Sequence, residues 1–337
     1  MSALPVLIQW MVRIHPDTWV TPVGEEPIFS TTTAGWEWEA ARAVGQTLAK
    51  RGATLRIVRQ LMAEPNLTVF GSEITAATVL GEPGARDFMQ KVCIRCVCGP
   101  ADGIEIWDKL APQMPRVNGL STIGKAELDL LEPWARRHGY KGTPIDVTPL
   151  GADEYTQEAV PRSGFAFLGT ANCEKRVPLV VKAAAMADVP LFLCLVYSNA
   201  KNSEDLPAIQ RAMGPKTTLL QVGIESRKRL LSLVRGTVTF SHADSQWLPG
   251  TEARACGGIA IAGDWPGIHN ANGDSILYVP DGDVVTMASA MYAMQNDNTL
   301  YEQERARQAA LFPALGRTTG AVTVRLTDWL LGVLEQK

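Results

Sequence analysis

Short apolar runs alternate with longer segments in which apolar residues recur three and four positions apart along most of the chain. Runs bounded by glycine, proline or other turn residues predict buried strands, and the three-and-four spacing predicts helices with one buried face. The predicted strands are 4–14, 54–58, 67–70, 92–97, 117–121, 164–169, 191–196, 217–222, 238–241 and 258–262. The predicted helices are 35–50, 124–138, 176–186, 225–235, 249–256, 284–294 and 319–335. This alternation predicts an α/β protein whose parallel sheets carry helices on both faces.

The stretch from Ser241 to Gly258 combines two acids with a strong helix signal. Pro249 suits the first turn of a short helix, and Gly257 suits its end. Asp244 then lies in the loop before the helix and Glu252 about one turn inside it. The free N–H groups at a helix start bind anions, and a carboxylate can accept hydrogen bonds from a pair of hydroxyls. The stretch therefore predicts a nucleotide-sugar site with the phosphates at the helix start.

Composition predicts an ordinary soluble protein of about two domains. The 337 residues can supply two hydrophobic cores. Lys and Arg number 32 against 35 Asp and Glu, and a net charge of -3 does not favour binding to nucleic acid or anionic membranes. The N-terminal segment lacks a signal-peptide pattern, and we expect no membrane span. Six cysteines make no disulfide framework, so we expect a cytoplasmic protein with reduced thiols.

The run from Asp244 to Gly257 resembles the Glu-x7-Glu signature of retaining glycosyltransferases with the GT-B fold, which are the glycogen-synthase-like and sucrose-synthase-like enzymes. That family shares the run Glu-Gly-Phe-Gly-Leu-Pro-x-x-Glu-Ala-Met-Ala-Cys-Gly. The matching residues here are Leu248, Pro249, Glu252, Ala253, Ala255, Cys256 and Gly257. Asp244 replaces the first Glu of the signature. Residues 150–153 also resemble the family's turn at the end of the first domain, and residues 272–283 resemble its return strand.

The resemblance implies two Rossmann-like, doubly wound domains with parallel sheets that face a cleft. We expect an acceptor-side domain over 1–160, a nucleotide-sugar domain over 161–318, and a C-terminal helix at 319–337 that crosses back to the first domain. It implies transfer of a sugar from a UDP- or GDP-linked donor to a hydroxyl acceptor with retention at the anomeric carbon. In the family the departing phosphate takes the acceptor proton on the same face, so no strong protein base is expected. The resemblance also implies that no metal or other cofactor is required.

The resemblance also implies roles for individual residues. Lys175 would stabilise the charge on the diphosphate and Asp244 would hold donor-sugar hydroxyls, which makes these two the expected catalytic residues. Glu252 would bind the ribose diol. Thr170 stands where the family has an arginine, so Arg176 or another basic residue compensates, or the donor or activity differs. The expected donor contacts are Gly35, Gly169, Thr170, Lys175, Val222, Ile224, Asp244, Gln246, Trp247, Leu248 and Glu252.

Aromatic and histidine residues near the N-terminus are candidate contacts on the acceptor side. Trp36 and Trp38 could form a platform for a sugar or base, although packing of a half-buried helix is the more economical interpretation. His15 follows the first predicted strand, where a structural histidine fits as well as an acceptor contact. The Cys-x2-Cys-x-Cys run at 93–98 fits buried strand thiols better than a metal site, because metal sites need a second suitably spaced pair.

Several functions remain open from the sequence. The acceptor could be a glycan, a lipid-linked sugar or a small metabolite, or it could be hydroxymethylated DNA as in phage glycosyltransferases. The aromatic segment 17–38 favours an unusual acceptor, whereas the acidic balance of the first domain disfavours DNA. Because Thr170 replaces an arginine, a non-catalytic nucleotide-sugar-binding protein is a further hypothesis. The sequence carries no signal for an oligomeric state.

Overall fold

The computed structural model describes most of the chain as two compact units. Met1–Gly151 and Thr319–Lys337 form the first unit, and Ala152–Thr318 forms the second. The residues described are 6–11, 33–58, 65–82, 85, 89–96, 104–122, 125–146, 161–196, 205–220, 224–242, 244 and 247–336.

Strands and helices alternate through both units. The strands are β1 (Val6–Met11), β2 (Ala53–Val58), β3 (Leu67–Phe70), β4 (Val92–Cys96), β5 (Gly119–Thr122), β6 (Ile145–Asp146), β7 (Phe165–Thr170), β8 (Leu191–Val196), β9 (Thr217–Leu220), β10 (Gly236–Thr239), β11 (Ile259–Gly263) and β12 (Leu277–Val279). The helices are α1 (Thr33–Lys50), α2 (Glu73–Leu80), α3 (Ile104–Leu110), α4 (Lys125–Arg137), α5 (Val177–Ala187), α6 (Leu206–Ala212), α7 (Ile224–Leu233), α8 (Leu248–Ala255), α9 (Pro266–Asn272), α10 (Val284–Asn296), α11 (Asn298–Leu311) and α12 (Thr319–Glu335).

The first unit is built on a parallel sheet in the order β2-β1-β3-β4-β5-β6. Helix α12, the last element of the chain, completes the core on one face of this sheet. Its residues Val322, Leu326 and Leu330 are buried in one cluster with Ile8 and Trp10 of β1. The first unit is therefore discontinuous in sequence, and its core depends on residues from both ends of the chain.

The second unit has a parallel sheet in the order β12-β11-β10-β7-β8-β9. Its strand order reverses between β7 and β10, which is the topological switch point of a doubly wound sheet. These two strands pair only at Phe165 with Gly236 and Ala166 with Thr237. The pairing of β7 with β10 therefore stops before their carboxyl ends, at the edge where open α/β sheets bind ligands.

The predicted fold class is confirmed, because both sheets are parallel and flanked by helices. The predicted strands and helices agree with the observed ones to within a few residues. The sequence pattern does not predict α2, α3, α6, α9 or α11. The first four span only about two turns, too short for a clear helical period, and α11 buries only Tyr301 and Gln308.

Gly35, an expected donor contact, lies in the first turn of α1, which begins at Thr33, two residues before the predicted helix start. Cys93 and Cys96 are buried, as expected for strand thiols, and Cys98 lies outside the described residues. Across the described ranges, no cluster of His, Cys, Asp and Glu could hold a metal. No helix in these ranges has the length and apolar character needed to cross a bilayer.

Candidate functional site

Two chain segments follow the carboxyl ends of β7 and β10 and carry the main candidate residues. After β7, Asn172 accepts a hydrogen bond from the Lys175 N–H at 3.3 Å and so caps a short 3-10 helix, Cys173–Lys175. After β10, the His242 N–H donates to the Glu174 carbonyl at 2.9 Å. This backbone contact holds the two segments together on either side of the switch point.

Lys175 and Asp244 form an ion pair across the switch point. Lys175 Nζ lies 2.6 Å from Asp244 Oδ1 and 3.4 Å from Ser241 Oγ. The two charged side chains are 18% and 24% exposed, so solvent and ligands can still reach them. Both residues expected to be catalytic therefore meet at one place, although 69 positions separate them in the sequence.

The sequence predicts a helix over 249–256, and α8 begins and ends one residue earlier. Pro249 occupies its first turn, and Gly257 follows its end with a φ of 74°, the left-handed conformation that favours glycine. Its start is less expected, because Trp247 caps it with φ 51° and ψ 72°. In the family run the residue before Leu-Pro is glycine, the residue that adopts a left-handed conformation most readily.

Trp247 contributes its side chain to packing. The indole is 3% exposed and lies in a cluster with Ala260, Ala262 and Ile268. A Cβ at Gly250 would lie 2.4 Å from Trp247 Cε3, so the indole covers the first turn of α8 and requires a glycine there. The backbone of this turn remains the part of Trp247 and Leu248 that fits an anion.

Glu252, the expected ribose contact, is paired with a residue that sequence reasoning missed. Arg227 Nη2 of α7 lies 2.7 Å from Glu252 Oε1, and the two side chains are only 12% and 15% exposed. Burial raises the pKa of the Cys194 thiol in β8 to about 12, and the nearby charge of Arg227 opposes this rise. The pair thus joins α7 to α8 on the side near β8.

A second set of charged groups adjoins Lys175. Arg176, with φ 50°, directs Nη1 to Asp281 at 3.0 and 3.2 Å from its two oxygens. The same Nη1 contacts His242 Nε2, which is 2.7 Å from Asp281 Oδ2. Trp265 stacks on the imidazole with a centroid separation of 4.4 Å. Sequence reasoning named Arg176 as a possible replacement for the arginine absent at Thr170 but missed Asp281 and Trp265, since no local pattern distinguishes them.

Buried arginines fix the back of α8. Arg254 donates from Nη2 to Asn272 Oδ1 at 2.7 Å and from Nη1 to Ser275 Oγ at 2.6 Å. Burial, with the nearby charge of Arg317, lowers the pKa of Arg254 to about 9. Arg317 also donates to Asn272 Oδ1, at 3.3 Å. These bonds tie the helix that carries Glu252 to the turn after α9.

The other expected contacts lie in β7, α7 and α1 or outside the described residues. Thr170 is the last residue of β7 and Gly169 precedes it, so both lie at the switch-point edge. Ile224 begins α7, but its side chain is outside the described set. The same holds for Trp36 and Trp38, which lie in α1. The positions outside the described residues are His15, Val222 and Gln246.

The first unit contains a separate concavity of about 490 Å³. Gly119 and Ile145 line it from β5 and β6, and Trp329 and Gly332 line it from α12. Asn118 and Gly119 lie at the amino end of β5, whereas ligands in open α/β sheets bind at the carboxyl ends of the strands. The position of this concavity therefore differs from that of the switch-point site.

Comparison with known proteins gives matches in structure alone. No protein-family model matches the chain, and no curated protein matches it. Sucrose-phosphate synthase from Thermosynechococcus elongatus has a TM-score of 0.72 and 16% identity, covering 97% of this chain and 99% of that one. Trehalose 6-phosphate synthase from Burkholderia multivorans has a TM-score of 0.62 and 13% identity, covering 89% and 76%.

A variant of Staphylococcus aureus TarM, solved in complex with UDP and α-GlcNAc-glycerol, has a TM-score of 0.61 and 11% identity. The match covers 80% of this chain, which spans only 55% of the TarM chain. These similarities show that the chain has the GT-B fold, with a Rossmann-like domain in each unit.

Proposed function

We propose that the chain is a glycosyltransferase that moves a sugar from a UDP- or GDP-linked donor to a hydroxyl acceptor with retention of anomeric configuration. The observation that carries this proposal is the meeting of Lys175 and Asp244 at the switch point of the second sheet. A cation and a carboxylate at this edge are the groups needed beside a diphosphate and a sugar. The GT-B fold and the neighbours named as glycosyltransferases support the same class.

The proposed position of the donor follows from the elements around the site. The diphosphate would lie at the amino end of α8, where the first-turn N–H groups of Trp247 and Leu248 favour an anion, with Lys175 beside it. Asp244 would hold sugar hydroxyls and Glu252 the ribose. Gly169 and Thr170 would form the wall beyond β7, and the segment 222–224 would face the base.

In the proposed reaction the bond between the anomeric carbon and the diphosphate oxygen breaks, and the acceptor oxygen bonds to that carbon on the same face. The acceptor proton passes to the departing phosphate, so no protein base is needed. Lys175 stabilises the charge that develops on the diphosphate. Arg176, next to it in the chain, is the residue that supplies the charge absent at Thr170. No metal or other cofactor is part of this proposal.

The proposed acceptor is a glycan or small-molecule hydroxyl. This choice rests on the overall charge of -3, which disfavours a polyanion such as DNA, and on TarM, whose solved complex contains α-GlcNAc-glycerol. A cytoplasmic location is proposed from the cysteine content.

The proposal predicts that UDP- or GDP-sugars raise the melting temperature of the protein. A ligand at about 100 times its Kd stabilises by about 2.7 kcal/mol, which a thermal-shift screen of UDP-, GDP- and ADP-glucose resolves. Released sugar, measured without acceptor, then reports turnover. Lys175→Ala should lower this rate by about 100-fold, as for loss of other groups that stabilise a transition-state charge, while donor affinity changes much less.

Lys182→Ala is the matched control, because Lys182 is an exposed lysine of the nearby helix α5. Stabilisation by a donor without any released sugar, for the wild type, would favour a non-catalytic nucleotide-sugar-binding protein. Turnover only with hydroxymethylated duplex DNA would assign the DNA acceptor instead. An unchanged rate in Lys175→Ala would move the leaving-group site elsewhere.

A further inference from the structure

The Arg227–Glu252 ion pair contains the residue that is proposed to bind the ribose of the donor. Glu252 Oε2 is buried, and Oε1 is the oxygen that Arg227 Nη2 contacts at 2.7 Å. A carboxylate oxygen can accept two hydrogen bonds, so the contact with Arg227 is compatible with one from a ribose hydroxyl. The guanidinium therefore orients the carboxylate that the ribose would meet.

The surroundings of Arg227 restrict its position. It lies at the fourth residue of α7, its side chain is 12% exposed, and its Nη2 lies 2.7 Å from Glu252 of α8. Burial and this ion pair hold the guanidinium between the two helices. A lysine here would supply a charge but not the planar donor that fixes a carboxylate in one orientation.

We propose that Arg227 is the positioning residue that aims Glu252 at the ribose and so makes the site prefer ribonucleotides to 2′-deoxyribonucleotides. This inference rests on the proposed function, since it concerns the ribose of the same donor. Arg227 acts through Glu252, without itself taking part in the bond-making steps. A site built to receive a hydroxyl discriminates against an analogue without it, because the polar group meant for that hydroxyl loses its partner.

Calorimetric titration of UDP, GDP and their 2′-deoxy analogues into the full-length protein tests the inference. Wild type should bind the ribonucleotide about tenfold more tightly than its 2′-deoxy analogue, as expected for one hydrogen bond to a charged group. Arg227→Ala should weaken ribonucleotide binding about tenfold and abolish the discrimination, and Arg227→Lys should fall between the two. Arg227→Ala combined with Glu252→Ala should bind no more weakly than Glu252→Ala alone, because residues that act as a unit are non-additive.

Arg305→Ala serves as control, since Arg305 forms an exposed ion pair with Glu302 within α11. If Arg227 had only a structural role, Arg227→Ala would weaken the binding of the ribonucleotide and of its 2′-deoxy analogue equally, and its effect would add to that of Glu252→Ala. Either result overturns the inference. If Arg227→Ala fails to fold, Arg227→Lys carries the test, and discrimination as large as that of wild type in this variant overturns the inference as well. Absence of binding by wild type to every nucleotide would instead reject the proposed function, together with this inference.

Discussion

Trp247 holds a left-handed backbone conformation that costs a residue with a Cβ about 1–2 kcal/mol. The conformation turns the chain from the end of β10 into α8, and burial of the indole among Ala260, Ala262 and Ile268 offsets its cost. The first turn of α8 in turn lacks a Cβ at Gly250, where the ring lies. Trp247 and Gly250 therefore fix together the helix end at which the phosphates are proposed to bind.

This arrangement predicts that Gly250→Ala destabilises the second unit. The added Cβ would lie 2.4 Å from Trp247 Cε3, so the indole, which is only 3% exposed, would have to shift within the core. We expect an overpacking loss of about 1–3 kcal/mol, measured as a lower melting temperature. Gly332→Ala in α12 is the control, since its Cβ meets no atom within 4 Å and alanine favours a helix by about 1 kcal/mol. Equal melting temperatures for wild type and Gly250→Ala would contradict the proposed contact.

At the scale of the element, α10 shows how one side chain defines a helix start. Asp283 accepts hydrogen bonds at 3.0 Å from the N–H groups of Val285 and Thr286 and at 2.6 Å from the Thr286 hydroxyl. The hydrogen bond from the Thr286 hydroxyl, which has the larger effect, and that from the Thr286 N–H lower the pKa of Asp283 below its ordinary value. A carboxyl whose pKa is lower in the folded state stabilises above its unfolded pKa of about 3.9 and loses this effect as the pH falls through the folded value.

Asp283→Ala should therefore melt at a lower temperature than wild type at pH 7. The difference should shrink as the pH falls below about 3.9 and toward the lower, folded pKa, because wild type then loses its charged cap too. Thermal melts recorded from pH 7 to pH 3 provide the measurement. Asp283→Asn keeps an acceptor without a titrating group, so it should retain more stability than Asp283→Ala at pH 7. A deficit of equal size at every pH would show that the carboxylate charge plays no part.

The elements also show which features the sequence alone predicts. The start of α10 at Asp283 and the end of α8 at Gly257 depend on residues within three positions, so local rules find both. The pairing of Arg176 with Asp281 joins positions 105 apart, and that of Arg227 with Glu252 joins two helices. Such contacts depend on strand order, and the chain carries no local signal for them. The signature run predicts a site, whereas the partners of its charged residues become visible only in the fold.

At the scale of the whole molecule, the two units differ in how the chain builds them. The second unit is one continuous segment, Ala152–Thr318, and contains every expected donor contact except Gly35. The first unit needs α12, whose Val322, Leu326, Leu330 and Val333 are buried in its core. Removing the C-terminal helix should therefore affect the first unit, and removing the N-terminal segment should leave the second unit with its own core.

Two fragments test this division. Residues 152–318 should fold alone with a cooperative thermal transition. This fragment should also bind UDP or GDP with the same base preference as the full chain, because the described strands, helices and ion pairs of the site lie within it. Residues 1–318 should keep nucleotide binding but lose the transition of the first unit, since four buried apolar side chains of α12 are missing and each contributes about 1.5–3 kcal/mol. Calorimetry with and without nucleotide separates the two transitions, because the ligand shifts only the unit that binds it. A fragment 152–318 that folds but binds no nucleotide recognised by the full chain would place part of the donor site in the first unit.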